Sequence, residues 1–283
     1  MSAWSASELV KRRLIQTLSL LLYNADIVNF KTGSVSKSPL KNGCVPGLNC
    51  YSCPGAVASC PLGALQNAVA EGRVPFLAAG ILLLFAVTLG RTVCGFLCPF
   101  GLIQELLYKI PSRKLPKSAF TRRLTLLKYV ILAILVIGLP LAVFLVQGYG
   151  APFFCEFVCP AGTLEAGIPL VLADPALRGA AGGLFLWKLG ILVALMALSV
   201  FCFRVFCRFL CPLGAFYGLF NRWALFGLKI RETACTHCGK CVKNCRMDTL
   251  AVNDRECVHC GKCTVECPGQ ALGRSFLRRK YET

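Results

Sequence analysis

The sequence predicts a mainly α-helical membrane protein of about four spans, built from a duplicated helix–cysteine loop–helix unit, with a small α+β module at its C-terminus. Three observations carry this reading. Of the 283 residues, 56% are hydrophobic and only 16% are charged, a balance foreign to soluble domains of this size. Long uncharged runs alternate with basic clusters. One cysteine-bearing phrase is also written twice, "RTVCGFLCPFG" at 91–101 and "RVFCRFLCPLG" at 204–214, each closing an apolar run. A looser copy, "FFCEFVCPAG", lies at 153–162, and "SCPLGAL" echoes it at 59–65.

The runs set the spans. Segment 74–90 offers 17 uncharged residues and 129–147 offers 19, enough to cross a hydrocarbon core of about 30 Å at about 1.5 Å per residue. Segment 179–203 is interrupted only by Lys188, whose stem can reach the interface. The run at 14–30 is weaker, with 12 uncharged residues before Asp26. Its counterpart in the second copy is a convincing span, so the duplication argues that it crosses too. No small-residue cleavage site follows it, so it reads as a retained helix and not a signal peptide.

Basic residues orient the spans. Loop 91–123 holds seven Lys and Arg, the tail from 204 holds fourteen, and loop 148–183 holds only Arg178. The first two are expected in the cytoplasm and the third outside. "KRR" at 11–13 then stays inside and loop 31–73, with four basic residues, lies outside. The expectation is a multi-pass protein of the cytoplasmic membrane with both termini in the cytoplasm. It divides into an N-terminal helix and cysteine loop (1–73), a membrane domain (74–230) and a C-terminal module (231–283). The duplicated units cover about 14–110 and 124–223. The formal charge of +18 does not indicate a nucleic-acid partner, because the basic residues sit at the ends of apolar runs and form no single soluble face.

Nineteen cysteines in such a chain ask for an explanation. Disulfide scaffolds are short and polar, so metal or cluster ligation is the better reading. The strongest evidence is C-terminal: "CTHCGKCVKNC" at 235–245 and "CVHCGKCTVECP" at 257–268. Each is the Cys-x2-Cys-x2-Cys-x3-Cys run of a two-cluster bacterial ferredoxin, in which the fourth cysteine crosses to the other cluster. Cluster 1 is thereby expected on Cys235, Cys238, Cys241 and Cys267, and cluster 2 on Cys257, Cys260, Cys263 and Cys245. Gly239 and Gly261 let backbone amides turn toward sulfur. Arg246 follows Cys245 where proline is usual, which alters the loop exit. Paired zinc ribbons are the alternative, since four thiolates also suit zinc.

A third cluster site is expected in "CVPGLNCYSCPGAVASCPLGALQ" at 44–66, on Cys44, Cys50, Cys53 and Cys60, with disulfides as the alternative. A fourth is expected where the twin motifs meet. Cys94 and Cys98, like Cys207 and Cys211, are four apart at a helix end, which would put each pair on one face. Pro99 and Pro212 suit the first turn of a following helix. Two related halves thus give four ligands, and Arg91 and Arg204 would offset the cluster's negative charge. The plain alternative is buried thiols packing as small hydrophobes. Cys155 and Cys159, on the expected outer face, either complete an outer cluster or form a disulfide. Cys202, inside the last span, reads as packing.

The only histidines, His237 and His259, lie inside the ferredoxin runs, where a ring tunes hydrogen bonding to a cluster. Haem between the membrane helices is therefore not expected. No phosphate-cradling or dinucleotide motif appears. Asn24 and Asp26 mark a candidate quinone or proton site, against the plainer reading of half-solvated interfacial residues.

The Cys-x3-Cys-Pro motifs after membrane helices, followed by the double 4Fe–4S run, resemble the NapH/NosR/CcoG-like membrane polyferredoxins over about 75–270. The segment "NCYSCPGAVASCPLGAL" resembles an N-terminal extension of anaerobe relatives. The resemblance implies electron transfer between a membrane or cytoplasmic donor and an acceptor across the membrane. The cysteine sets on both faces add the expectation of about four 4Fe–4S clusters between a cytoplasmic donor or acceptor and a membrane or extracytoplasmic redox partner, with a flavoprotein as one candidate. The resemblance leaves open a quinol-oxidising subunit of a reductase and a metal-reducing or cofactor-maturation factor. In each case an electron-transfer subunit is expected more than a stand-alone oxidoreductase.

Overall fold

A computed structural model describes residues 6–36 and 39–276. Of the basic residues used above for orientation, Lys37, Arg278, Arg279 and Lys280 lie outside these. The principal helices are α1 (Ala6–Tyr23), α2 (Pro61–Ala70), α3 (Phe76–Thr88), α4 (Thr92–Phe96), α5 (Pro99–Leu107), α6 (Ala119–Gln147), α7 (Pro160–Ala173), α8 (Gly183–Phe201), α9 (Val205–Phe209) and α10 (Pro212–Phe220). The order repeats itself. Helices α1 to α5 form one unit, helices α6 to α10 a second, and each unit ends in a five-residue helix, a Cys-Pro corner and a nine-residue helix.

Helices α6 and α8 are long and apolar enough to cross a membrane, and most of their surface is exposed. Helices α3 and α7 are apolar but shorter. At 13 residues, α3 covers about 20 Å. Helix α1 is built inside out: Leu14, Leu18, Leu21 and Leu22 are exposed, while Arg12, Gln16 and Ser19 are buried. An aqueous surface helix has the reverse arrangement. The helix also begins earlier than the apolar run at 14–30. Arg12 does not mark its edge, because its charge is consumed by Glu105 of α5 at 2.5 Å.

Four cysteines, Cys60, Cys98, Cys159 and Cys211, occupy the N-cap positions of α2, α5, α7 and α10, all with extended backbone and with proline at the next residue. Proline is tolerated there because its missing N–H would have no helical partner. Cys94 and Cys207 sit on the near side of the same corners, inside α4 and α9. Each motif pair therefore straddles a corner and does not share one helix face as the four-residue spacing had suggested. Both thiols still reach the same place, because the chain folds back at the corner.

The C-terminal module is closed by two antiparallel strands, β1 (Gly227–Ile230) and β2 (Leu272–Ser275), with Gly227 opposite Ser275. The first strand starts before residue 231, the boundary expected from the sequence. The module packs directly on α4: a methyl group at Gly95 would collide with the Val258 carbonyl, and Thr92 Oγ1 lies 2.7 Å from His259 Nδ1. Lys117 donates to the carbonyls of Val242 and Lys243, so loop 91–123 and the module share one side of the molecule.

Candidate iron–sulfur sites

The inner site lies where the two units meet. Cys94, Cys98, Cys207 and Cys211 are all buried and within direct electrostatic reach of one another. The residues around them cross from one unit to the other. Arg91, fully buried, donates to the Cys207 carbonyl at 3.0 Å. Arg204, equally buried, donates to the Cys94 carbonyl at 2.7 Å. Each arginine is tied off by a carboxylate, Arg91 by Glu256 at 2.7 Å and Arg204 by Glu105 at 2.7 Å. Arg204 holds a left-handed backbone, with φ of 51°. The two arginines thus hold the cysteine turns and place positive charge beside four thiols.

The loop that carries Cys44, Cys50, Cys53 and Cys60 borders a cavity shared with the second unit. The cavity, of about 370 Å³, is lined by Cys50, Cys60, Cys155 and Cys159, and Cys155 and Cys159 are each within electrostatic reach of the other three. Cys44 and Cys53 do not line it, although Cys44 is within electrostatic reach of Cys60 and Cys53 of Cys50. Cys53 Sγ instead lies 3.4 Å from Asn24 Oδ1, and Asn24 bonds Asn49. Asp26 accepts from Asn29 at 2.8 Å. Asn24 and Asp26, the candidate quinone or proton site, are thus engaged in holding the N-terminal loop.

In the module, Cys245, Cys257, Cys260 and Cys263 are mutually within reach, and Cys241 reaches Cys263. Cys235, Cys238 and Cys241 form the neighbouring set. The turn from Cys267 to Gln270 packs against Ala234, which precedes Cys235. His237 and His259 both adopt left-handed backbone, with φ of 49° and 48°. His259 docks the module on Thr92, while the His237 side chain is exposed. Cys202 accepts from Arg208 at 3.3 Å, beside the Arg208–Asp248 pair, in keeping with a packing role.

The donor chemistry fits 4Fe–4S clusters. Cubanes need thiolates, and thiolates are favoured by N–H donors and by helix N-termini. Gln104 Nε2 donates to Cys207 Sγ at 3.1 Å, the Gly214 amide to Cys211 Sγ at 3.3 Å and Gln66 Nε2 to Cys155 Sγ at 3.3 Å. The exposed Cys238 thiol is drawn below its ordinary pKa, first by the Lys240 amide and then by the Thr236 hydroxyl. Among the described residues, no three His, Cys, Asp or Glu side chains converge as a single ion requires. Sequence reasoning missed the glutamines, although "CPLGALQ" and "CPFGLIQ" place one six residues past Cys60 and Cys98.

The fold and these thiol sets define an iron–sulfur electron-transfer protein with apolar helices. A 4Fe–4S binding domain family matches residues 71–118, 129–168 and 184–231, and each segment carries one Cys-x3-Cys-Pro motif. The uncharacterized protein MJ0750 of Methanocaldococcus jannaschii is 31% identical over 66% of this chain and 73% of its own length. The regulatory protein NosR of Stutzerimonas stutzeri is 31% identical over 62% of this chain and 22% of its own. The methylamine utilization ferredoxin-type protein MauN of Paracoccus denitrificans is 30% identical over 64% of this chain and 58% of its own. No solved structure matches. The chain belongs to the NosR/NapH-like family of ferredoxin-type electron-transport proteins.

Proposed function

We propose that this protein carries single electrons across the cytoplasmic membrane, between a cytoplasmic donor or acceptor and a partner at the outer face. The observation that carries the reading is continuity: the four thiol sets follow one another with a tight junction at each step. Cys241 lies within reach of Cys263 inside the module. Gly95, next to Cys94, touches Val258, next to Cys257. Phe154, next to Cys155, stacks on Phe206, next to Cys207, with centroids 6.5 Å apart. Bound clusters would supply one-electron redox couples at these places; the chain itself binds them, fixes their separation and keeps water away.

Several features support a transmembrane placement. Helices α1, α3, α6 and α8 would be the spans. Trp187 and Trp223 are exposed at the outer end of α8 and just past α10, as expected of side chains that settle at membrane interfaces. Because α3 is shorter than the hydrocarbon core, its buried corner would lie below the lipid surface. That position shortens the gap that an electron must cross. The exposed Cys238 loop, with Lys240 and Lys243 on it, is the port for a soluble cytoplasmic partner, and the outer cavity is the other port.

The test is vectorial. Purified full-length protein is placed in vesicles that enclose ferricyanide, and dithionite is added outside. The enclosed oxidant is expected to bleach far faster than in protein-free vesicles, and a Cys94→Ser/Cys98→Ser variant should return the rate to the background. A wild-type rate equal to that of empty vesicles sinks the conduit.

A further inference from the structure

Resting on the conduit reading, we propose that the outer cavity is a second intramembrane 4Fe–4S site whose ligands are Cys50, Cys60, Cys155 and Cys159, two from each unit. Cys44 and Cys53 stand outside it. The family match does not reach Cys50 or Cys60.

The outer cavity corresponds to the inner site feature by feature. There, each unit gives one thiol from a helix N-cap and one from four residues earlier. Cys159 and Cys155 repeat that arrangement. Cys60 repeats the N-cap, but four residues earlier the first unit has Ala56, which is fully buried. Cys50 makes good the deficit from the preceding loop. Its place is fixed across the unit boundary, because the Cys50 amide donates to Glu165 Oε2 at 2.7 Å.

Glu165 belongs to a series. The residues six past the four Cys-Pro corners are Gln66, Gln104, Glu165 and Tyr217, and each reaches into the opposite unit. Gln66 Oε1 accepts from the Phe154 amide at 3.1 Å and Gln104 Oε1 from the Phe206 amide at 2.9 Å. Their amide groups donate to the sulfur of the next residue in each case, Cys155 and Cys207. Tyr217 donates to the Pro46 carbonyl at 2.8 Å. Two sites with the same corner, the same cross-unit clamp and the same amide-to-sulfur bond are built for the same chemistry.

The close approaches also place the thiols across the boundary. A methyl group at Gly63 would stand 3.8 Å from Cys155 Sγ, and one at Gly162 would stand 3.7 Å from Cys50 Sγ. Each unit thus holds a thiol of the other over its own corner. A single metal ion does not account for a cavity of about 370 Å³, and a Cys155–Cys159 disulfide leaves Cys50, Cys60 and the Gln66 donor without a purpose.

The test is iron content and EPR of anaerobically purified full-length protein, with no activity assay. Wild type should hold about sixteen irons, four per cubane. Cys50→Ser and Cys155→Ser should each lose about four irons and one reduced-state signal, while the Cys44→Ser/Cys53→Ser variant keeps them all. Retention of every iron in Cys155→Ser, or loss in the Cys44/Cys53 variant, overturns the ligand set. A second measurement needs no variant: alkylation and mass spectrometry of wild type should find Cys155 and Cys159 free after iron removal, and a disulfide between them overturns the proposal. Vesicle transfer that fails while sixteen irons are present defeats the conduit and leaves this site standing. Transfer with twelve irons does the reverse.

Discussion

At the scale of single residues, the membrane half of this protein is held by buried charge. Glu105 joins Arg12 and Arg204, and Glu256 joins Arg91 and Lys128. Burial alone pushes the Glu256 carboxyl up, but Arg91 and Lys128 more than reverse this and hold it below the usual carboxylate range. Such groups are costly to desolvate and far costlier to leave single. Glu105→Ala, which strands two buried guanidinium groups, is expected to destabilise the protein by about 3–5 kcal/mol. The loss is read as a lower unfolding midpoint in detergent; an unchanged midpoint would mean that the guanidinium groups find water. The sequence made the arginines visible because Arg-x-x-Cys occurs twice. It hid their partners, since Glu256 is 165 positions from Arg91 and no local pattern joins them.

At the scale of elements, the Cys-Pro corner is the repeated part. An N-cap thiol, a proline at the first helical position and a short helix recur four times because each residue satisfies a local requirement, and local requirements are what a sequence displays. The corners were therefore legible, and so was the match between units. That Cys155 and Cys159 share a cavity with Cys50 and Cys60 was not. Cys44, Cys50, Cys53 and Cys60 crowd together along the chain, but which of them faces the other unit is decided across the boundary, through Glu165 and Gly162. The start of α1 was hidden for a similar reason: a triplet of cations looks like a membrane edge unless one of them has a buried partner. The contact between α4 and the module yields a sharp prediction. Gly95→Ala places a methyl group against the Val258 carbonyl, backbone against backbone, with no flexible side chain to yield. The module should loosen from the membrane domain, and limited proteolysis between 221 and 235 should accelerate several-fold without loss of the module's own iron. Unchanged cleavage would show that the contact is not tight.

Taken whole, the molecule answers a difficulty that its sequence raises. Cysteine sets assigned to opposite faces of a membrane would be separated by the thickness of the lipid, about 30 Å, too far for the sets to adjoin. The fold removes the gap by burying both. Cys60, Cys94, Cys98, Cys159, Cys207 and Cys211 belong to one continuous core, with Cys155 and Cys260 packed against it. Phe154 and Phe206, neither exposed to solvent, stack on each other next in sequence to Cys155 of the outer set and Cys207 of the inner. Tyr217 lies within electrostatic reach of Cys94 and Cys98 of the inner set and of Cys60 of the outer. With clusters on both sets, as proposed, two paramagnetic centres held this way would sense each other. On stepwise reduction, the signals of the inner and outer clusters should broaden and split once both are reduced, and Cys155→Ser should restore the narrow inner signal. A fully reduced spectrum equal to the sum of the isolated signals would mean that the two sites are far apart, and the junction through Phe154 and Phe206 could not then be the place where an electron passes from one unit to the other.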